Sequence, residues 1–90
     1  MKYRSRTEIV AIILQSASSG ITKTKIMYKA YLSYTQLKEY LTFLQENELI
    51  NYERGSQLYR VTDKGRHFLE AYDELSDLVS SKTNGKAINP

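Results

Sequence analysis

The chemistry available to this sequence lies in hydroxyls, amides and cations rather than in nucleophiles or metal ligands. The chain has one histidine, His67, and no cysteine, so a disulfide, a thiolate site or a pair of imidazoles on one metal is out of reach. His67 stands between Arg66 and Phe68 with no Ser/His/acid set around it, and reads as a surface or interface histidine rather than a base. Asp73, Glu74 and Asp77 fall on one side of the last helix. They could loosely attract a divalent ion, but a solvated, mutually repelling face accounts for them better. A glycine-rich phosphate loop is missing. These residues predict a protein that is not an enzyme and uses neither cofactor nor metal.

What remains suits a polyanion. Ser33, Tyr34, Thr35, Gln36 and Lys38 open a helix. A glutamine there can bond adenine N6 and N7, a threonine can offer its hydroxyl or methyl, and a lysine can reach guanine or phosphate. Helix-terminal amides around Ser33 can hold a phosphate whatever the base sequence. Ser33 and Gln36 have a competing use, in capping that helix. Lys23, Lys25 and Lys29 bracket the preceding helix, Arg4 and Arg6 precede the first one, and Arg54, Ser56 and Gln57 occupy a turn between two strands. Each is a candidate DNA contact; each cation also reads as an ordinary surface charge. Residues 1–66 carry eleven Lys and Arg against six Asp and Glu, a surplus of five, whereas residues 67–81 carry Glu70, Asp73, Glu74 and Asp77 and no cation. A basic body with an acidic final helix suggests that only the body faces a polyanion. Of the tyrosines, Tyr28, Tyr31, Tyr34, Tyr40, Tyr52, Tyr59 and Tyr72 recur at spacings expected of a core or its edge, which predicts packing in the core or at an interface, and Tyr3 has no evident structural role.

Those side chains need a scaffold, and the pattern supplies one. Ser5 and Glu8 have capping-box spacing ahead of a helix carrying Ile9, Ile12 and Ile13, widened by Val10 and Leu14, which ends at Ser18-Ser19-Gly20. Ile21 reads as a buried residue in a strand of one or two residues. Thr22 caps a short second helix that buries Ile26 and Met27, and Ala30, Tyr31 and Leu32 break it. Ser33 and Gln36 repeat the capping-box spacing before a third helix, Tyr34 to Glu46, with Leu37, Tyr40, Leu41 and Leu44 on its apolar face. The short interval between these two helices is that of helix-turn-helix, although a generic helical hairpin has a similar pattern. Then the period shortens: residues 49–53 and 58–61 read as strands, with Gly55 free to take a positive φ in the turn between them. Thr62 caps a fourth helix, with Gly65 a weak spot in its first turn. The fold class expected is mainly α with a small β-hairpin, a winged helix-turn-helix over residues 1–62 plus a C-terminal antiparallel dimerisation helix over 63–80. Residues 81–90 read as a disordered tail.

Three segments, Lys2–Leu14, Thr24–Tyr34 and Tyr59–Leu69, resemble the small archaeal winged-helix proteins described as predicted transcriptional regulators. The resemblance covers about residues 2–78, its most specific part being Lys-Thr-Lys-Ile-Met-Tyr-Lys-Ala-Tyr-Leu-Ser-Tyr, residues 23–34. It implies double-stranded DNA binding, a homodimer and no cofactor. Within that group one abundant DNA-binding protein of hyperthermophilic archaea dimerises through an antiparallel coiled coil, and the last helix here is shorter than that protein's.

The expectation is therefore a homodimeric transcriptional regulator, its third helix in the major groove and its hairpin wing on the backbone or minor groove. A chromatin-like architectural DNA-binding protein and a protein-interaction module without DNA binding are the alternatives. Phe68, Tyr72, Leu75 and Val79, spaced four, three and four residues apart, with Leu78 beside them, form the expected dimer seam. The longest apolar run, Ile9 to Leu14, is far short of the roughly 20 residues that cross a bilayer, and no signal peptide is evident. A cytoplasmic, nucleoid-associated protein with no membrane and no evident small-molecule effector is expected.

Overall fold

The computed structural model describes residues 4–83. Helix α1 (Arg6–Ser16) starts at the Ser5/Glu8 capping box, with the Glu8 amide donating to Ser5 Oγ at 3.0 Å and the Ser5 amide to Glu8 Oε1 at 3.3 Å. Helix α2 (Lys23–Ala30) is capped by the Thr22 hydroxyl, and α3 (Tyr34–Glu46) by a second capping box at Ser33 and Gln36. Strands β1 (Ile50–Glu53) and β2 (Leu58–Val61) pair antiparallel, Ile50 opposite Val61 and Tyr52 opposite Tyr59. Ile21 adds a single-residue third strand, exchanging both of its backbone hydrogen bonds with Tyr59 at 2.9 and 2.8 Å. Helix α4 (Asp63–Thr83) begins where Thr62 Oγ1 accepts from the Gly65 amide at 2.9 Å.

One core holds these elements together. Ile13 and Leu14 of α1, Ile26 of α2, Leu37 and Leu44 of α3 and Ile50 of β1 are fully buried. Truncating any of the leucines to alanine is expected to cost about 2–5 kcal/mol. On α1 the buried face also takes in Ala11, while Ile12 stays half-buried; on α2 Ala30 is buried and Met27 only half-buried. Chain direction fixes the frame: α4 runs back along α1, so Phe68 is level with Val10, and Ser76 and Val79 are level with Ser5 and Thr7. No helix among the described residues is long and apolar enough to cross a membrane.

Several expectations change. Of the seven tyrosines expected to pack in the core or at an interface, Tyr40 and Tyr59 are buried within the chain itself; Tyr28, Tyr31, Tyr34 and Tyr52 are exposed and Tyr72 is half-buried. Helix periodicity assigned Tyr28, Tyr31 and Tyr34 to the core edge, but the buried stripes are narrow, filled by Ile26 and Ala30 on α2 and by Leu37, Tyr40, Leu41 and Leu44 on α3. In the wing, Gln57 rather than Gly55 takes the left-handed conformation (φ 60), and its amide donates to the Glu53 carbonyl at 2.7 Å. Gly65 is more than a weak spot: a Cβ built on it overlaps the Leu49 carbonyl oxygen, so glycine permits the close approach of α4 to the backbone just before β1. Helix α4 continues to Thr83, three residues past the expected Ser80. The expectations for Tyr3 and for the tail beyond Thr83 lie outside the described residues.

Candidate nucleic-acid interface

Helices α2 and α3 meet at a turn built from backbone rather than glycine. Tyr31 closes α2 in the left-handed region (φ 54), its amide donating to the Tyr28 carbonyl at 3.3 Å and the Leu32 amide to that of Met27 at 3.1 Å. This is the Schellman arrangement, and it places Ser33 to start α3 two residues later. Thr35, Glu39, Thr42 and Glu46 run down the centre of the exposed side of α3, since residues three or four apart share a face. Tyr34 and Lys38 occupy the flank toward α2; Gln36 and Phe43 occupy the flank toward α1.

On the α2 flank the structure draws charges and rings together. Lys23 Nζ lies 5.6 Å and Lys38 Nζ 5.4 Å from the centre of the Tyr34 ring, both within cation–π range, and Tyr34 is 56% exposed. Beside them Thr22, Lys23, Thr24, Tyr52, Gln57 and Tyr59 line a cleft of about 510 Å³ between the start of α2 and the wing. Its floor is the cross-strand pair Tyr52–Tyr59, with ring centres 4.8 Å apart. Burial pushes the Tyr59 hydroxyl above the ordinary tyrosine value; Lys23 opposes the shift, and Tyr52 and Tyr34 add to it. Tyr59 therefore stays neutral and keeps its O–H as a donor in a site lined by lysine and threonine, which suits phosphate oxygens.

The other candidates are dispersed. Ser33 Oγ accepts from the Gln36 amide at 3.1 Å and Gln36 Oε1 accepts from the Ser33 amide at 3.0 Å, which leaves the Gln36 NH₂ group as its outward-facing donor. Thr35 is exposed, and its hydroxyl makes no hydrogen bond among the described residues. Lys25 and Lys29 are exposed on the outer side of α2. Arg4 is half-buried and donates through Nη2 to the Tyr31 carbonyl at 3.2 Å, bracing the end of α2. Arg6 lies over the rings of Tyr40 and Phe43, at 5.0 and 5.9 Å, on the α1 flank of α3. At the wing tip Arg54 is exposed, but Ser56 Oγ donates to Glu53 Oε1 at 3.0 Å. Glu53 also accepts from Arg60 Nε at 2.6 Å and Nη2 at 3.2 Å. The Arg60 and Ser56 hydrogen bonds hold the Glu53 carboxyl below its usual range, and Glu53 raises Arg60 in return.

Sequence reasoning missed Thr22, Thr24, Tyr52 and Tyr59 as parts of one cleft. Strand alternation does put Tyr52 and Tyr59 on the same face as Ile50 and Val61. The signal lacking was that the helices cover only the Ile50–Val61 pair and leave the next pair half open. Among the described residues no group of His, Asp and Glu comes together as a metal site would require.

Several known proteins are similar to this chain in sequence or in shape. Two uncharacterized proteins of Methanocaldococcus jannaschii are similar to it. One is 34% identical over 77 residues, 84% of this chain, and this chain spans only 36% of that relative's length. The other is 30% identical over 80 residues, 88% of this chain and 80% of the relative. The crystal structure of Sso10a-2, a DNA-binding protein from Sulfolobus solfataricus, matches with a TM-score of 0.73 at 25% identity, covering 90% of this chain and 92% of that one. Mainly helical, with a small antiparallel hairpin and a long last helix, and matched over residues 3–80 by the family described as winged helix-turn-helix, the chain belongs to that non-catalytic family.

Proposed function

We propose that this chain binds double-stranded DNA as a homodimeric transcriptional regulator, the first turn of α3 entering the major groove and the wing lying on the backbone or minor groove. The observation that carries the reading is the cluster Lys23–Tyr34–Lys38 beside the open cleft of Thr22, Thr24, Tyr52 and Tyr59. It unites cations, neutral donors and exposed rings on the side of the molecule that holds the start of α3 and the wing. The description of Sso10a-2 as a DNA-binding protein supports the same reading. Residues 1–62 would form the DNA-binding unit and α4 the dimerising element, in a protein associated with the nucleoid in the cytoplasm.

A chromatin-like mode with little base preference is favoured by one observation. The capping box occupies the Ser33 hydroxyl and the Gln36 carbonyl oxygen, so Gln36 cannot make the paired donor–acceptor contact to adenine without giving up its cap. Fluorescence anisotropy with random and selected duplexes, at about 50 mM and about 200 mM salt, separates the modes. A regulator keeps a large affinity ratio between selected and random duplexes at the higher salt; an architectural protein loses affinity for both together. Absence of binding to any duplex at the lower salt would overturn both.

A further inference from the structure

The geometry points to a second binding site, for a small amphipathic carboxylate, in the groove between α1, the C-terminal end of α3 and the first turns of α4. This groove, about 520 Å³, has apolar walls from Val10, Phe43 and Phe68, and two cations, Arg6 and Lys64, line it together with Thr7. Its size is that of small-molecule sites, which combine mostly apolar walls with a few polar groups. No carboxylate lines it, and among the described residues neither Arg6 nor Lys64 forms an ion pair; the pairs present are Arg60–Glu53 and Arg66–Asp63. Arg6 is instead held against the Tyr40 and Phe43 rings, which fixes its guanidinium beside the apolar wall. Asn47 also lines the groove, and because its Nδ2 already donates to the Phe43 carbonyl at 2.9 Å, its side-chain oxygen is left to accept. Two uncompensated cations over an aromatic wall fit one anionic group on one flat apolar body, and an aromatic carboxylate satisfies both. The groove is distinct from the α2 flank of α3, and its walls join the recognition helix to the base of α4, so an occupant would tie these elements together as an effector does.

The test needs no DNA, so it stands or falls separately from the nucleic-acid reading. The full chain is titrated with 2-naphthoate while its amide NMR spectrum is recorded. Saturable shifts are expected at Arg6, Thr7, Asn47, Lys64 and Phe68, with half-saturation at about 0.1–1 mM. The neutral analogue 2-naphthylmethanol is expected to bind about tenfold more weakly. Arg6→Gln and Lys64→Gln, both exposed positions, should each weaken naphthoate about fivefold, with spectra that otherwise stay native. Shifts that are absent at millimolar naphthoate, equal for the neutral analogue, or unchanged in the double variant would overturn the assignment. So would naphthoate-driven dissociation seen by sedimentation, because it would mean that a second copy of the chain occupies this groove.

Discussion

At Gln36 folding and the proposed DNA contact draw on a single side chain. Its carbonyl oxygen closes the capping box of α3, and its amide group is the part left for the proposed contact. Glutamate fulfils the same capping role but brings a negative charge to the first turn of α3. Gln36→Glu should therefore leave stability within a few tenths of a kcal/mol in urea denaturation, while Gln36→Ala should lose about 0.5–1 kcal/mol. Duplex affinity should drop several-fold for the glutamate variant, more at low salt; an unchanged affinity would remove this turn from the interface. Caps of this kind were legible in the sequence because donor and acceptor are three residues apart, and both capping boxes formed at the expected serines. The helix ends were not legible. Tyr31 and Glu48 close α2 and α3 in the left-handed region (φ 54 and 60), where glycine is the usual residue, and nothing in their chemistry announces it. Since Glu48 is exposed, Glu48→Gly should stabilise the protein by about 0.5–1 kcal/mol in the same assay; a loss of stability would contradict the backbone account. Arg4 was equally opaque, because its carbonyl partner lies 27 residues away.

The wing and helix α4 show what each element contributes. In the hairpin, Glu53 anchors both Arg60 across the strands and Ser56 in the turn, which holds the loop while Arg54 points outward. Hydrogen bonds that favour the ionised carboxylate depress its pKa in the folded protein. The stability they add is thus present above the ordinary carboxylate value of about 4.3 and is lost as pH falls through the lower folded value. Carboxyl-carbon NMR should place the Glu53 midpoint below the ordinary glutamate value, and Arg60→Ala should return it toward about 4.3; a wild-type midpoint at the ordinary value would contradict the hairpin geometry. The strands themselves were readable from their shortened period. Their turn was misread because glycine drew the positive φ to residue 55, whereas the loop closes through Gln57. Along α4, Phe68 and Tyr72 stack with ring centres 6.4 Å apart and lie half-buried on the body, while Leu75 and Leu78 are 63% and 54% exposed. The sequence seam is thus divided in the monomer, its first half packed inward and its second half open.

Taken whole, the molecule extends 53 Å along its longest axis and has a radius of gyration of 14.9 Å, against about 12 Å for a compact domain of this length. A body this small buries little surface, and pairing the second halves of two α4 helices would add apolar burial at about 25 cal/mol per Å², before the cost of association. An antiparallel pair brings Glu70, Asp73, Glu74 and Asp77 of each chain toward the basic start of the other's α4, at Lys64 and Arg66, instead of acid against acid. Sedimentation equilibrium at micromolar concentration should give twice the 10.4 kDa chain mass, and Leu75→Glu with Leu78→Glu should return it to one; a monomeric wild type would sink the dimer. The overall class was readable from patterning, since four helices and a hairpin in this order leave few arrangements. The proposed binding face was not, because Lys23, Tyr34, Lys38, Tyr52 and Tyr59 converge only once three elements have packed. The central claim concerns that face, and amide NMR mapping with a short duplex tests it most directly. Shifts should concentrate at Thr22–Thr24, Tyr34–Lys38, Tyr52 and Arg54–Gln57 and should weaken as salt rises. Shifts confined to α4 or to the groove around Phe43, with the first turn of α3 unmoved, would contradict it.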